Sequence, residues 1–265
     1  MPETAKMIEH EFPILEFDDK PHAIIEPVHT ARAGVMHDRA VACFNQTVID
    51  QLVADGHALQ IHHLSSSMGK HPIYEIQAFG TTLAVFQLGL GASFAAALLE
   101  EVISLGCRRV IVCGSCGVLD SSITKGTIIV PTAAIRDEGT SYHYLPPARE
   151  IKPSPEAISM IADILTAHKC RYLMGKTWTT DAIFRETPRK VNRRRSEGCL
   201  AVEMEASALF AVAHFRNITI GQLLSSADDV SGEVWDSRCE HQPVTGNQKL
   251  FWLAAEVCAM LQSSS

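Results

Sequence analysis

Short, strand-like runs alternate with helical segments along most of this 265-residue chain. The most compact strand-like run is RVIVC at residues 109–113, and TIIV at residues 127–130 ends at Pro131, which cannot donate a hydrogen bond to a sheet. Apolar residues recur at helical spacing in residues 154–167 and again near residues 245–263. Because strands and helices alternate, the sequence predicts a three-layer α/β domain whose ligand site lies at the carboxyl ends of the strands.

The same patterns predict the remaining elements. Further strands are expected at residues 59–63, 73–79, 82–88, 173–177 and 218–225. Apolar positions within residues 95–103 fall on one helix face, and Gly106 stands where the residue after a helix C-terminus belongs. No linker of low complexity and no internal repeat divides the chain. We therefore expect one domain over residues 1–265, with residues 1–20 as an N-terminal extension.

Composition limits the partners and the environment that we expect. The chain has 23 Lys and Arg against 30 Asp and Glu, and this net charge of −7 gives no general attraction to nucleic acid or to a membrane of acidic lipid. The longest nearly apolar run, residues 88–99, is too short to cross a bilayer, and residues 1–9 lack the apolar core of a signal peptide. The 8 cysteines show no disulfide framework spacing. These features predict a soluble, cytoplasmic protein with reduced thiols.

Two glycine-containing motifs follow predicted strands. Gly89 and Gly91 precede a helix, but a dinucleotide-binding fingerprint requires a glycine where Phe94 stands, so NAD binding is not expected. Such a turn still offers backbone N–H groups to an anion. In CGSCG at residues 113–117, the glycines around Ser115 leave room for a ligand, and a plain turn is the alternative. A single C-x-x-C pair is weak evidence for zinc, so we predict no metal site.

Acidic residues follow two further strands. In VEMEA at residues 202–206, Glu203 and Glu205 are two apart in an extended segment and so point to the same side. A carboxylate there is able to accept two hydrogen bonds from a sugar diol; the alternative is a carboxylate that satisfies free helix amides, worth about 0.3–1 kcal/mol. In SSADD at residues 225–229, one aspartate is a candidate general acid with a raised pKa, and an ordinary loop cluster is the alternative.

Basic residues and histidines give weaker indications. Residues 185–195 hold six basic side chains, which we interpret as a solvated helix face, with a local phosphate or carboxylate partner as the alternative. His10, His29, His71 and His241 are candidates for a site, but their spacing is not typical of a metal centre.

Taken together, the motifs resemble the nucleoside phosphorylase family that includes hexameric purine nucleoside phosphorylase and uridine phosphorylase. The resemblance runs from about Ala23 to the C-terminal helix and implies an α/β fold, a three-layer α/β/α sandwich with a mixed, partly barrel-like central sheet. It also implies a homo-oligomer, a dimer or a hexamer. Four motifs in family order and spacing carry it: Gly89-Leu90-Gly91, Gly114-Ser115-Cys116-Gly117, Thr179-Thr180-Asp181 and Val202-Glu203-Met204-Glu205-Ala206.

The resemblance assigns roles to residues. Asp228, which lies 23 residues after Glu205, matches the purine-type general acid that protonates N7 as the glycosidic bond breaks. The expected ribose-binding residues are Glu205, Met204, Glu203 and His10, the last of which resembles a histidine that reaches a neighbouring subunit's ribose in relatives. The expected phosphate-binding residues are Ser115, Gly91, His29 and Lys70. The expected base-binding residues are Ile183, Phe184, Arg189 and Asp228.

Two arginines that bind phosphate in the family are missing. Residues 25–29 (IEPVH) correspond to a Gly-Asp-Pro-x-Arg loop without its glycine or arginine, and Val112 stands where a second arginine is usual. In the phosphorylase interpretation, some of His29, Arg32, Lys70 and His71 help Ser115 and the amides near Gly91 to hold phosphate. The indications of base specificity are mixed. Asp228 points to a purine, whereas Arg189 matches an arginine, and Thr187 replaces a glutamine, that uridine phosphorylases use for a pyrimidine.

From these observations we expect an enzyme that cleaves the N-glycosidic bond of a nucleoside by phosphorolysis, giving free base and a (deoxy)ribose 1-phosphate. Phosphate is then a co-substrate, and no cofactor is expected. Hydrolysis, with Glu26 or His29 positioning a water, and non-catalytic nucleoside binding are the two alternatives. Cleavage of this bond passes through a cationic sugar, so carboxylates at the ribose and an acid at the base act where charge develops.

Overall fold

A computed structural model of the chain describes residues 7–29, 36–238 and 244–262. Its strands are β1 Arg39–Cys43, β2 Ala58–Ser66, β3 Gly69–Ala78, β4 Thr81–Phe86, β5 Arg109–Val118, β6 Ile128–Asp137, β7 Glu150–Ile151, β8 Tyr172–Thr180, β9 Cys199–Glu203 and β10 Thr219–Asp229. Its helices are α1 Gln46–Ala54, α2 Ala92–Ser104, α3 Pro155–Ala167, α4 Pro188–Ser196, α5 Ala206–Arg216 and α6 Val244–Met260. None of the helices in these ranges is both long and apolar enough to span a membrane.

Five of the strands close into a barrel. The order β10-β6-β8-β9-β5 returns to its start because β5 also pairs with β10, in parallel, over most of its length. From β5 the sheet continues as an open extension through β1, β4, β3 and β2, while β7 adds to the edge of β6. Both parallel and antiparallel pairs occur. The predicted mixed, partly barrel-like sheet is therefore confirmed.

Helices cover both faces of this sheet. On one face, α2 and α5 enclose apolar residues of β1, β4 and β5, and on the other face α1, α3 and α6 enclose a second apolar cluster. The strands between them are buried on both sides, as Ala40, Val41 and Ala42 of β1 illustrate with no exposed surface. The three-layer arrangement agrees with the sequence prediction, although the N-terminal strand β1 and the helix α1 were not predicted.

Three strands run further than the sequence pattern indicates. Strand β6 does not end at Pro131, because the pairing of β6 with β8 shifts register between Pro131 and Ala133, and such an irregularity accommodates a proline inside a strand. Strand β5 extends from Cys113 to Val118, and β10 extends to Asp229. The CGSCG and SSADD segments are therefore paired strand ends and not loops or turns, since each satisfies the other's backbone in the barrel.

The basic run at residues 185–195 forms mostly α4, and its exposed side chains follow the expected solvated helix face. Arg194 is the exception, because it is 7% exposed and its guanidinium bonds Asp137 at 3.0 Å and Glu197 at 3.1 Å. The carboxylate-partner alternative therefore applies to this residue, and also to Lys190, which pairs with Asp137 at 3.5 Å, and to Arg193, which pairs with Glu197 at 2.9 Å.

Candidate active site

A cavity of about 580 Å³ opens at the carboxyl ends of the neighbouring strands β5 and β10 and at the junction of β9 with α5. The loops that follow β8 and β10 complete its wall. Five side chains with carboxyl groups line it, and we call it the acidic cavity: Glu186, Glu203, Glu205, Asp228 and Glu233. The cavity thus lies where the sequence predicted a ligand site, at the carboxyl ends of strands.

Glu205 connects two parts of the chain in the wall of the acidic cavity, and we call the part of the wall formed by Glu203, Met204 and Glu205 the sugar end. It is the residue immediately before α5, and its Oε1 accepts a hydrogen bond from the backbone N–H of Gly91 at 2.6 Å. Gly91 precedes α2 with a φ of +91°, a conformation that side-chain-bearing residues rarely adopt. The glycine turn is therefore bound by Glu205, which occupies the amide of Gly91.

Glu203 is held more firmly still. Its Oε2 accepts the backbone N–H groups of Glu205 and Ala206 at 2.8 and 2.6 Å, and its Oε1 accepts the hydroxyls of Thr179 at 2.7 Å and Thr177 at 3.4 Å. Both oxygens are thus occupied at the start of α5, as the helix-amide alternative predicted for a carboxylate here. Glu203 therefore positions Glu205 by accepting its backbone N–H, and it also lines the acidic cavity.

Burial changes the acidity of this pair. Removal from water, and then the nearby negative charge of Glu203, raise the pKa of Glu205 to about 8. Burial likewise raises the pKa of Glu203, against the opposing effect of its hydrogen bonds. A ligand that brings hydroxyl donors or developing positive charge to Glu205 would relieve this cost.

Asp228 belongs to a second part of the wall, contributed by β10 and by the loops after β8 and β10, which we call the base end. The pairing of β10 with β5 is irregular between Ser226 and Asp228, and Asp228 comes to face Gly117. A Cβ on Gly117 would lie 3.1 Å from Val202 Cγ1 and 3.4 Å from Asp228 Oδ1, so a glycine here leaves room for the carboxyl group. The indole N–H of Trp235 donates to Asp228 Oδ2 at 2.7 Å.

Two residues of the base end, Glu186 and Trp235, belong to no motif in the sequence. Glu186 lies between the 3₁₀ turn Ile183–Arg185 and α4, and burial together with the charge of Asp228 raises its pKa to about 7. Trp235 lines the same cavity with 65% of its surface exposed, and Phe184 is 96% exposed. The sequence signal that could have identified Trp235 is a tryptophan within a polar segment that follows a strand.

Most of the expected site residues converge on the acidic cavity. The structure places these predicted residues in its wall: Ser115, Ile183, Phe184, Glu203, Met204, Glu205 and Asp228. Gly91 adjoins it through its bond to Glu205. Arg189, the residue that indicated a pyrimidine, is exposed on α4 and does not line the cavity. It is therefore not placed to contact a base bound there.

His10 and Lys70 lie elsewhere. His10 accepts the backbone N–H of Phe12 at 3.0 Å within the N-terminal segment. Lys70 and His71 line a separate cavity of about 240 Å³ beside β3. Arg32 and His241 fall outside the described residues.

Residues 25–29, expected to match the family's phosphate loop, also lie away from the acidic cavity. Glu26 forms an ion pair with Arg216 at 3.7 Å, and Arg216 is the last residue of α5, roughly 15 Å of helix from Glu205. His29 Nδ1 accepts the backbone N–H of Glu26 at 3.2 Å. This placement contradicts the expectation that the segment 25–29 adjoins Ser115.

The segment that does adjoin Ser115 is residues 44–46, directly after β1. Phe44 donates its backbone N–H to Cys113 at 3.0 Å, and its ring lies 2.9 Å from where a Cβ on Gly114 would stand. The expectation failed because β1 was not recognised, and β1 pairs in parallel with β5 so that both strands end at the same edge. Val112, at the position of the second missing arginine, is fully buried in the apolar core.

The charged side chains that line the acidic cavity are all carboxylic acids. Within the described part of the chain, no Lys, Arg or His side chain lines it. Nor do the described residues contain a group of three or more His, Cys, Asp or Glu side chains that could hold a metal ion. The arrangement suits a ligand that offers hydroxyl donors at Glu205 and a flat ring at Phe184, Trp235 and Asp228.

Comparisons with known proteins identify the family of the chain. The model of the phosphorylase superfamily matches residues 38–246. Guanosine phosphorylase of Halorubrum lacusprofundi is 26% identical over 230 residues, which cover 87% of this chain and 86% of that protein.

Two solved structures share the fold. Purine nucleoside phosphorylase from Toxoplasma gondii, in complex with immucillin-H, superimposes with a TM-score of 0.74 at 18% identity, over 85% of this chain and 91% of that one. AMP nucleosidase from Bacteroides thetaiotaomicron superimposes with a TM-score of 0.70 at 19% identity, over 87% of this chain and 91% of that one.

Proposed function

The chain belongs to the phosphorylase superfamily, and from this premise we propose that it cleaves the N-glycosidic bond of a nucleoside by phosphorolysis. One observation carries the proposal: Glu205, Asp228 and Ser115 line one cavity of 580 Å³. The enzyme is then a pentosyltransferase that uses a nucleoside and inorganic phosphate.

The chemistry follows from the placement of the acids. A phosphate oxygen donates an electron pair to C1′ while the C1′–N bond breaks, and the bonding electrons leave with the base. The sugar becomes cationic on the way, so carboxylates near the ribose stabilise the transition state more than the substrate. Glu205 accepts hydrogen bonds from the ribose hydroxyls in this arrangement, and Met204 lies in the same wall beside the sugar.

The base end favours a purine. As the general acid, Asp228 delivers a proton to N7, so that the base leaves as a neutral molecule. Phe184 and Trp235 offer exposed rings against which a bicyclic base stacks. Glu186, whose pKa is raised to about 7, supplies a second carboxyl group for the polar edge of the base. Arg189, the residue that indicated a pyrimidine, lies outside the cavity.

A direct assay tests this function. Guanosine, inosine, adenosine and uridine are each incubated with the protein with and without inorganic phosphate, and free base and sugar phosphate are measured. We expect release of a purine base only with phosphate, in equal amount to a pentose 1-phosphate. Binding without release of any base would contradict an enzymatic role.

Hydrolysis is the second candidate, and one specific observation favours it. The described residues that line the acidic cavity include five acids and no basic side chain, which is a poor lining for a phosphate dianion. In this case a water replaces phosphate at C1′. Release of base at the same rate with and without phosphate, accompanied by free pentose, would establish hydrolysis instead.

We propose in addition that the protein is a cytoplasmic homo-oligomer. Large apolar side chains near the N-terminus are strongly exposed, among them Phe12 at 58% and Ile25 at 76%, and this pattern is typical of a subunit interface. The cysteines in the described ranges are free and mostly buried, as in proteins of a reducing compartment. Sedimentation measurements test the assembly, and a monomer at micromolar concentration would contradict it.

A further inference from the structure

A short loop after β10 places one side chain directly on Asp228. The indole N–H of Trp235 donates to Asp228 Oδ2 at 2.7 Å, and both residues line the acidic cavity. An indole N–H is a donor only, so Oδ2 acts as the acceptor in this contact. In a protonated carboxyl group the carbonyl oxygen is the better acceptor, and the proton is therefore directed to the other oxygen, Oδ1.

The backbone of this loop explains why Trp235 is within reach. Asp229 and Asp236 form an antiparallel bridge, in which the N–H of Asp229 donates to the carbonyl of Asp236 at 2.9 Å and the reverse bond measures 3.1 Å. Asp228 and Trp235 each precede one of the bridged residues. In an antiparallel pair such positions lie on the same face as diagonal neighbours, about 7–8 Å apart, which an aromatic side chain is long enough to span.

The carboxylate of Asp229 anchors the loop. Its Oδ1 accepts the backbone N–H of Ser231 at 2.8 Å, and its Oδ2 forms an ion pair with Arg238 at 3.0 Å. The guanidinium of Arg238 also donates to the carbonyl of Ile123 at 2.8 Å, which connects the loop to the segment between β5 and β6. These contacts hold the loop against the barrel and place Trp235 beside Asp228, although 65% of the surface of Trp235 is exposed.

The two oxygens of Asp228 differ in their surroundings. A Cβ on Gly117 would lie 3.4 Å from Oδ1 and 3.6 Å from Oδ2, so the carboxyl group stands against the bare backbone of β5. No group within residues 7–29, 36–238 and 244–262 donates a hydrogen bond to Oδ1, whereas Oδ2 is bound by the indole. Oδ1 is therefore the oxygen that is able to exchange a proton with a ligand in the acidic cavity.

We propose that Trp235 is a positioning residue for the general acid: its N–H holds Oδ2 of Asp228, and the proton passes from Oδ1 to N7 of the base. This inference rests on the proposed cleavage of a purine nucleoside. As the C1′–N9 bond breaks, its electron pair enters the base, N7 gains the proton and Asp228 is left as a carboxylate. The indole bond to Oδ2 then becomes charge-assisted and about twice as strong, so Trp235 stabilises the transition state more than the bound nucleoside.

The variant Trp235→Phe tests the proposal, because it keeps an aromatic ring for the base and removes the N–H donor. For guanosine we expect kcat to fall about 10- to 100-fold, as the loss of a hydrogen bond to a charged group predicts, while KM changes less than about threefold. The base of 7-methylguanosine already carries a positive charge and leaves without a proton, so its kcat should stay within about twofold. Trp252→Phe is the matched control and should change neither kcat, because Trp252 packs edge-on against Phe79 and Phe251 outside the acidic cavity.

A double-mutant cycle adds a second readout. In Asp228→Asn no acidic proton remains, so adding Trp235→Phe should lower kcat for guanosine by less than about twofold. An unchanged kcat for guanosine in Trp235→Phe, equal falls for both nucleosides, or a full further fall in the Asp228→Asn background would overturn the positioning role. Base release that is independent of phosphate would overturn phosphorolysis alone, because hydrolysis requires the same proton. If the unsubstituted protein releases no base from any nucleoside, both proposals are wrong.

Discussion

The two ends of the acidic cavity are built in opposite ways. At the sugar end, Glu203 and Glu205 are 7% and 4% exposed, and backbone amides and threonine hydroxyls fix them at the start of α5. At the base end, Phe184 and Trp235 are 96% and 65% exposed, and Asp228 sits beside an irregularity in strand pairing. The sugar end is therefore fixed by hydrogen bonds within the chain, whereas the base end exposes apolar rings.

This contrast has a physical basis. The sugar end is a helix N-terminus, where free amides need acceptors, so the fold itself requires a carboxylate such as Glu203. The base end contains exposed rings in the loops after β8 and β10, whose apolar surface is covered once a flat base stacks on them. We expect substitutions at the sugar end to change stability as well as activity, and substitutions at the base end to change mainly activity.

The largest effect is expected for Asp228→Asn. Asparagine has nearly the same shape but no acidic proton, so kcat for guanosine or inosine should fall about 10²- to 10⁴-fold with little change in KM. Steady-state kinetics at saturating phosphate measure both constants.

A cationic substrate provides the control for Asp228→Asn. The base of 7-methylguanosine already carries a positive charge, so it leaves without a proton from the enzyme, and its kcat should hardly change. An equal fall in kcat with both nucleosides would show that Asp228 is not the general acid.

Glu203→Ala should give the next largest effect, on stability. The variant leaves the buried N–H groups of Glu205 and Ala206 and the hydroxyl of Thr179 without their acceptor, and we expect a loss of about 2–4 kcal/mol in the free energy of unfolding. Denaturant titration measures it. Glu203→Gln keeps one acceptor oxygen and should lose less. A change below about 1 kcal/mol in Glu203→Ala would show that these hydrogen bonds do not hold the sugar end in place.

Much of the fold could be predicted from hydrophobic periodicity, but the ends of strands could not. The sheet core, α2, α3 and α6 follow from apolar patterns. Strands β5 and β10 continue through polar segments such as SSADD, where the side chains face a cavity and the barrel partner supplies the hydrogen bonds. Such strand ends have no apolar alternation, because their pairing is decided by residues distant in the sequence. Strand β1 was missed, and the expected phosphate loop was therefore assigned to residues 25–29.

The site divides in the same way. Ser115, Glu205 and Asp228 belong to local motifs, so their presence in one cavity was predictable. Glu186 and Trp235 carry no motif, and their nearness to Asp228 arises only when the loops after β8 and β10 fold over the barrel end.

Glu205→Gln sharpens the comparison at the sugar end. The variant loses the negative charge that accepts the ribose hydroxyls, and kcat/KM for a ribonucleoside should fall about 10- to 100-fold. The loss should be smaller for a 2′-deoxyribonucleoside, which lacks one of the donors. Because the pKa of Glu205 is raised to about 8, its ionised form costs stability, and the variant should be at least as stable as the parent above that pH. Equal losses with both sugars would contradict a contact to the diol.

The smallest expected effect is the pH dependence of stability that Glu186 contributes. Its pKa rises from 4.5 to about 7 on folding, so the folded protein holds this proton more tightly than the unfolded chain. The contribution is fully present below pH 4.5, decreases as pH rises towards about 7 and is constant above that value. Glu186→Gln should therefore flatten the fall in stability over this interval, which thermal unfolding at a series of pH values measures.

The same pH series distinguishes the contribution of Glu205 at the sugar end from that of Glu186 at the base end. Its pKa of about 8 extends the corresponding fall in stability one unit higher, so Glu205→Gln should flatten the curve up to about pH 8 and Glu186→Gln only up to about pH 7. The charge of Asp228 contributes to the raised pKa of Glu186, so Asp228→Asn should shift the Glu186 part of the curve to lower pH and leave the Glu205 part in place. If Asp228→Asn leaves the whole stability curve in place, the charge of Asp228 does not act on Glu186. The two residues would then not lie together at the base end.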